Sequence, residues 1–352
     1  MNPTMDSGAP EDEITQPVGD RGSRIRIEDV CTIDAFTRVR ALEAEVWALE
    51  PLDVLPLTML VATRAVGAIL LGAYDGDALV GFVYGFPGIE GGRTTIHSHM
   101  LAVRQGYRDL DLGYRLKVAQ RERARALGVS EVTWTFDPMQ SRNAHFNFGK
   151  LGVVADSYRV DFYGTECSSF LLRDSTDRLW VRWFLESDRV CRRIDAREPA
   201  TTDPVELGDA APLVDARADG TPWTAEGDEV FDQERLRIHI PDDISAIHAE
   251  NVSLAAAWRL ATRRAFTAAL DRGYVVEVFA RSDRAARGYR DYPILPPARR
   301  ACHQRREANN EATAPYQDPR NPGPGVFRQR DDPQAVRGRG RRVPHQYEPH
   351  PA

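Results

Sequence analysis

Residues 97 to 124, HSHMLAVRQGYRDLDLGYRLKVAQRERA, change character part-way along. Up to Val103 they read as the end of a strand that starts at Thr94. From Gly113 to Leu127 they read as a helix that Gly128 ends. Between the two lies a tight loop rich in turn residues. A strand, a loop and a helix in that order aim several backbone N–H groups of the helix start at one spot, which makes an anion cradle. Arg104, Arg108 and Arg115 lie close enough in sequence to add positive charge. A simply capped helix accounts for the segment equally well, because every strand–loop–helix unit has such an N-terminus.

Reading outward from this segment gives the architecture. Arg24 to Ile27 alternates as a strand does, and Phe36, Val39, Leu42, Val46 and Leu49 form the stripe of a helix over Asp34 to Leu49. A second helix is expected from Leu55 to Val66. Ala68 to Tyr74 and Ala78 to Phe86 follow as strands joined by Asp75-Gly76-Asp77, a short hairpin loop. Downstream come a strand at Val129 to Phe136, a short helix at Asn143 to Leu151, and strand-like segments at Val153 to Tyr163 and Ser168 to Leu172. The order β-α-α-β-β-β-α-β-α-β-β implies an α/β (α+β) fold with flanking helices. Its mixed sheet is mostly antiparallel, and one helical crossover makes two later strands parallel.

The organisation expected is an unfolded tail at 1–23, a first domain at 24–174, a smaller α/β extension at 175–295 and an unfolded tail at 296–352. Within the extension, Leu179 to Leu185 alternates with two tryptophans, and 195–230 reads as an acidic linker. Leu236 to Ile240, Ser253 to Asp271 and Tyr274 to Phe279 read as strand, helix and strand. The 352 residues carry a formal charge of −6, unevenly spread. The last segment, 296–352, holds 11 Arg against 6 acidic residues, which leaves 35 basic against 46 acidic residues before it.

Several function classes are excluded or disfavoured. The most apolar run, Ala65 to Tyr74, is far shorter than the roughly 20 residues that cross a bilayer, so no membrane association is expected. The acidic N-terminus lacks the layout of a secretory signal, which points to a cytoplasmic protein. Cys31, Cys167, Cys191 and Cys302 have no metal-ligand spacing and read as reduced core thiols, so no metal is expected. The run Gly-Arg-Gly-Arg-Arg at 338–342 lacks interleaved aromatics, and nucleic acid is not expected as a partner.

The loop RDLDLG stands where the GNAT superfamily of acyl-CoA-dependent N-acyltransferases has its R/Q-x-x-G-x-G/A loop. FGKLG, at Phe148 to Gly152, resembles that superfamily's Y-E-K-L-G-F segment. HSHMLAV, LKVAQRERA, WTFDP and RNAHFNFGKLG together are similar to a bacterial branch of this superfamily. The resemblance covers residues 25 to 174 and continues more weakly to about 295. It implies a GNAT-like fold and acetyl-CoA as acyl-donor co-substrate, with an unidentified amine as acceptor. It also implies that Arg108, Asp109, Leu110, Asp111, Leu112, Gly113 and Tyr114 hold the CoA pyrophosphate. Leu101, Ala102 and Val103 would bind the pantetheine arm through main-chain bonds, and the thioester would lie between splayed strands. The amine would then attack the thioester directly, in an enzyme that works mostly by positioning.

The chain departs from the family pattern at three points. Asp111 replaces the first glycine of the loop pair, Asp109 adds a second carboxylate, and Phe148 stands where many of these enzymes have a proton-donating tyrosine. Either carboxylate near the helix start would repel a diphosphate or cap the helix. A catalytically degenerate binding or regulatory module is the alternative that these departures support. Acid and base must come from elsewhere. His97 and His99 lie two apart on a strand and face one side, as a base or as a hydrogen-bonded pair. Of these, His99 is the catalytic candidate. Tyr158 and Tyr163 offer hydroxyls, or serve as core tyrosines. Asn143 and Asn147 bond the pantetheine amides or cap their helix. Lys117 reads as a residue of a solvated helix face or as one that reaches a CoA phosphate, the former being preferred.

Overall fold

Thr32 starts the first helix by accepting a hydrogen bond from the Ala35 N–H, and Phe36, Val39 and Leu42 then fall on one buried stripe. The computed structural model describes residues 22, 24–164, 176–195, 210–281 and 289–295. Strands β1 (Arg26–Asp29), β2 (Ile69–Asp75), β3 (Ala78–Glu90) and β4 (Arg93–Val103) form an antiparallel run, with helices α1 (Ile33–Trp47) and α2 (Leu57–Ala65) inserted after β1. Helix α3 (Leu112–Ala126) then crosses over to β5 (Glu131–Phe136), which lies parallel to β4.

Alternation in the strands sorts their side chains to two faces. Leu70, Phe82, Tyr84 and Ala102 meet Phe36, Val39, Leu42 and Leu60 of α1 and α2. Ile69, Leu71, Val80, Val83 and Ile96 meet Leu112 and Leu116 of α3. Beyond β5, α4 (Ser141–Ala144) runs into π-helical turns over His145–Leu151 and stops at Gly152, whose positive φ of 73° ends the helix. Strand β7 (Arg178–Phe184) lies between β5 and β6 (Val154–Arg159) and is antiparallel to both.

The sheet continues past β6. After α5 (Asp188–Ile194) come β8 (Ala211–Ala216), β9 (Pro222–Thr224), β10 (Leu236–Pro241), α6 (Ile244–Glu250), α7 (Val252–Asp271), β11 (Val275–Val276), β12 (Ala280–Arg281) and β13 (Tyr289–Leu295). The order across the described sheet is β1-β2-β3-β4-β5-β7-β6-β11-β13-β10-β8-β9, with β12 beside β13. Helix α7 packs Phe266 against Tyr158 of β6, ring centroids 5.6 Å apart. Arg259 reaches Asp137 at the end of β5, and Tyr292 of β13 donates to the Pro138 carbonyl at 2.6 Å. The fold is thus mixed α/β with a mostly antiparallel sheet and flanking helices.

Four readings change. Residues 211–216 and 222–224, inside the expected linker, are the strands β8 and β9. Tyr274 to Phe279 yields only the two-residue β11, with β12 following at Ala280–Arg281. The strand expected to open the extension, β7, sits inside the first body's sheet, because alternation reveals a strand without revealing its neighbour. Cys31 is exposed rather than buried, and Cys191 is half-buried. The strand expected at Ser168 to Leu172, Cys167, Cys302 and the tail at 296–352 lie outside the described residues, as does 1–23 apart from Gly22.

Candidate active site

Strand β4 gains one residue against β3. Tyr84 pairs with Met100 and Gly85 with Ser98, so His99 is the extra residue of a β-bulge. On its other edge β4 pairs with β5 only at Ile96–Val132 and His97–Thr133. All six residues of β5 pair with β7. Strands β4 and β5 therefore diverge just where the bulge begins, and the main chain from Met100 to Val103 has no ladder partner on the β5 side.

Three elements meet at the open side. Gly113, in the first turn of α3, lies against Leu101 of β4 and Phe146 of the π-helical segment. A Cβ at Gly113 would stand 3.7 Å and 4.0 Å from their side chains. A 3-10 helix at Gln105–Leu110 precedes α3, and Asp111 joins the two at φ 55°, ψ 23°. That left-handed conformation favours glycine and is tolerated by Asp. The Asp111 carboxylate makes no cap bond to the helix amides, and instead takes a 2.7 Å ion pair from Lys150 Nζ. The first-turn N–H groups of Leu112, Gly113 and Tyr114 have no acceptor within the helix.

The arginines of the loop divide. Arg104 is held by Glu45, and Arg115 donates to the carbonyls of Gly22 and Ile25. Arg108, exposed, donates through Nε to the Val103 carbonyl at 3.3 Å and stays beside the α3 start. Asp109 is exposed, Leu110 packs against the core, Leu112 is fully buried, and Ala102 faces α1 and α2. Asn143 is exposed, whereas Asn147 is buried and accepts from Trp134 Nε1 at 3.3 Å.

Lys117 corrects its reading as a solvated residue. From α3 it points into the sheet, donating to Ser98 Oγ at 2.8 Å and Gln120 Oε1 at 3.2 Å, with Nζ 3.6 Å over the centre of the Trp134 ring. Burial pushes its ammonium well below the ordinary lysine range. Helical spacing alone could not place it, because positions 113, 117 and 120 lie on the edge of the apolar stripe.

On the opposite face, Phe86, His97, His99, Phe162, Tyr163 and Trp180 line an open pocket of about 320 Å³. The His97 ring stacks on Trp180 at 5.1 Å, and its Nδ1 lies 3.2 Å from Thr133 Oγ1. Burial, then the neighbouring His99 and Lys117, push the His97 imidazole down to about 4. His99 is lowered as well, by loss of solvent. Tyr163 is 40% exposed at the pocket wall. Tyr158 lies elsewhere: its hydroxyl donates to Asp177 at 2.9 Å, which Arg263 also bridges, and burial raises its pKa far above the usual range. Phe148 is core, edge-on to Phe136 and Tyr292.

The bulged β4, its divergence from a parallel β5 and the start of the crossover helix thus meet at one gap. No family model matches the sequence, and no curated protein matches it. Among solved structures, a protein from Desulfovibrio desulfuricans assigned to the GNAT family of acetyltransferases is similar at 18% identity, covering 46% of this chain and 99% of its own, with a TM-score of 0.37. An aminoglycoside 6'-acetyltransferase type Ii follows at 19%, 46%, 97% and 0.37. An IAA acetyltransferase from Bacillus cereus gives 15%, 45%, 97% and 0.35. The described residues thus offer two features, the gap beside the α3 start and the ring-lined pocket. Sequence reasoning missed Phe86, Phe162 and Trp180. For Trp180 the visible signal was the alternation of Trp180 and Arg182 against Leu179, Val181 and Trp183.

Proposed function

We propose that the chain is a cytoplasmic acyl-CoA-dependent N-acyltransferase that moves an acetyl group from acetyl-CoA to an amine by direct attack. One observation carries this reading. Strand β4 parts from β5 at the bulge, beside an α3 start whose amides the Asp111 carboxylate leaves uncovered. The amides of Leu112, Gly113 and Tyr114, with Arg108, take the pyrophosphate. The main chain of Leu101 to Val103 takes the pantetheine arm, with Asn143 and Asn147 on the helix facing it. The amine nitrogen attacks the thioester carbonyl carbon and the C–S bond breaks. The amine's proton passes to the neutral His99 imidazole, and the Tyr163 hydroxyl is the candidate donor to the thiolate. Tyr158 is the weaker choice, since its hydroxyl is already donated to Asp177. No described helix is long and apolar enough to cross a membrane.

The test is release of free CoA thiol over a library of amine acceptors. Arg108→Ala is expected to raise the KM for acetyl-CoA about tenfold, the loss of one charge-assisted contact. Activity unchanged by that substitution would contradict the donor placement. The degenerate binding module keeps one observation in its favour, the burial of Phe148 where a proton donor is expected. It predicts that acetyl-CoA binds and that no acceptor releases the thiol.

A further inference from the structure

Every residue lining the pocket carries a ring. The rings come from β3, β4, β7 and the segment after β6, and they are already arranged as aromatic groups pack. Phe86 lies 5.7 Å from His97 and 5.8 Å from His99, Phe162 lies 4.8 Å from Tyr163, and Trp180 lies 6.2 Å from Phe162. Among the described residues no carboxylate lines the space. Glu90, Glu131 and Asp156 pair with Arg182, and Asp161, next to Phe162 in the chain, pairs with Arg263 as Asp177 does. Two further guanidiniums sit beside the lining: Arg159 is 5.7 Å from the Trp180 ring centre and Arg178 is 5.3 Å from that of Tyr163.

These charges and surfaces select among amines. A polycation entering here would lose hydration without meeting a carboxylate, and would approach two arginines. A flat ring would gain offset and edge contacts with the lining, each worth more than its buried area alone. A single ammonium would meet ring faces, and its loss of water would favour the free amine that attack on a thioester requires. We propose that this pocket takes an acceptor amine carried on an aromatic body, an arylalkylamine, rather than a polycationic sugar amine or a basic peptide. The proposal deepens the acyltransferase reading and rests on it.

The experiment uses the full chain, with calorimetric binding of acetyl-CoA and initial rates of thiol release for phenethylamine, hexylamine, tobramycin and a lysine-rich peptide. The expected order puts kcat/KM for phenethylamine at least tenfold above hexylamine and a hundredfold above the two polycations. Trp180→Leu is expected to raise the phenethylamine KM about tenfold, leaving hexylamine within threefold and the acetyl-CoA Kd within twofold. A preference for tobramycin or the peptide overturns the proposal, as does an equal loss for both monoamines. If circular dichroism shows Trp180→Leu unfolded, Phe162→Leu at the pocket mouth replaces it with the same readouts. Acetyl-CoA binding without turnover of any amine overturns the acceptor class and leaves the donor site standing. Absence of acetyl-CoA binding overturns the acyltransferase reading instead. Direct calorimetry with phenethylamine then decides the pocket: binding weakened tenfold by Trp180→Leu supports it, and no binding overturns it.

Discussion

Asp111 combines a backbone role and a charge role in one residue. Its φ of 55° costs an L-residue energy that glycine avoids, while its carboxylate pairs with Lys150 on an exposed surface. Asp111→Gly is expected to change stability by less than about 1 kcal/mol, because the two terms offset. The same change removes one negative charge beside the proposed diphosphate site. It is expected to tighten acetyl-CoA binding about three- to tenfold in a calorimetric titration, and weaker binding would contradict the placement. At His97 the prediction concerns pH. The folded chain holds this imidazole at about 4, below the ordinary 6.5, so the unfolded chain binds the proton first. Stability is therefore full above about pH 6.5 and falls as pH drops toward 4. Urea unfolding at pH 7.5 and 4.5 is expected to show His97→Gln losing less than the native chain, by on the order of 2 kcal/mol. Equal losses would show that His97 titrates normally. The substitutions at 109, 111 and 148 were legible in the sequence, but where Asp111 turns its carboxylate was not, because Lys150 is distant in sequence and reaches the loop only through the fold.

The bulge and the divergence of β4 from β5 are properties of elements, and their sequence signature is faint. Nothing in HSHMLAV distinguishes an extra residue at His99 from regular alternation. Its partner strand shows the reason for close approach: a Cβ at Gly85 would stand 2.9 Å from Gln120 Nε2, 2.9 Å from Ile96 Cγ2 and 3.0 Å from the His97 carbonyl. Gly85 thus lets α3 sit close over the bulge, with Gln120 bonded to Ser98. Gly85→Ala is expected to cost roughly 1 to 3 kcal/mol by forcing these groups apart, measured as a drop in the urea midpoint. A midpoint unchanged by Gly85→Ala would mean the helix sits more loosely than described. The helices and the front hairpin were legible, since a period of 3.6 is written into Phe36-Val39-Leu42 and Ile69 to Ala73 is a short continuous apolar run ahead of the Asp75-Gly76-Asp77 turn. The short strands β8, β9 and β13 were not, because Pro and acidic residues mask their alternation.

At the scale of the molecule, the extension is part of the fold that carries the site. Its helix α7 covers Tyr158 with Phe266, Arg263 neutralises the buried Asp177, and Ser141 at the start of the FGKLG helix donates to the Asp242 carbonyl at 2.5 Å. A chain ending at Asp195 would uncover this surface and remove both Arg259 and Arg263. Thermal melting by circular dichroism is expected to show no cooperative transition for it, whereas the full chain melts cooperatively. A cooperative melt of the fragment would make the extension a separate body. The patterns at 236–240, 253–271 and 274–279 did not reveal the seam, since a single register pair, Val276–Ala155, joins β11 to β6. The most direct test of the account is amide hydrogen exchange of the full chain with and without acetyl-CoA. Slowed exchange confined to Leu101–Val103 and Leu112–Tyr114 is the predicted result. Exchange unchanged at those six residues under saturating acetyl-CoA would contradict it.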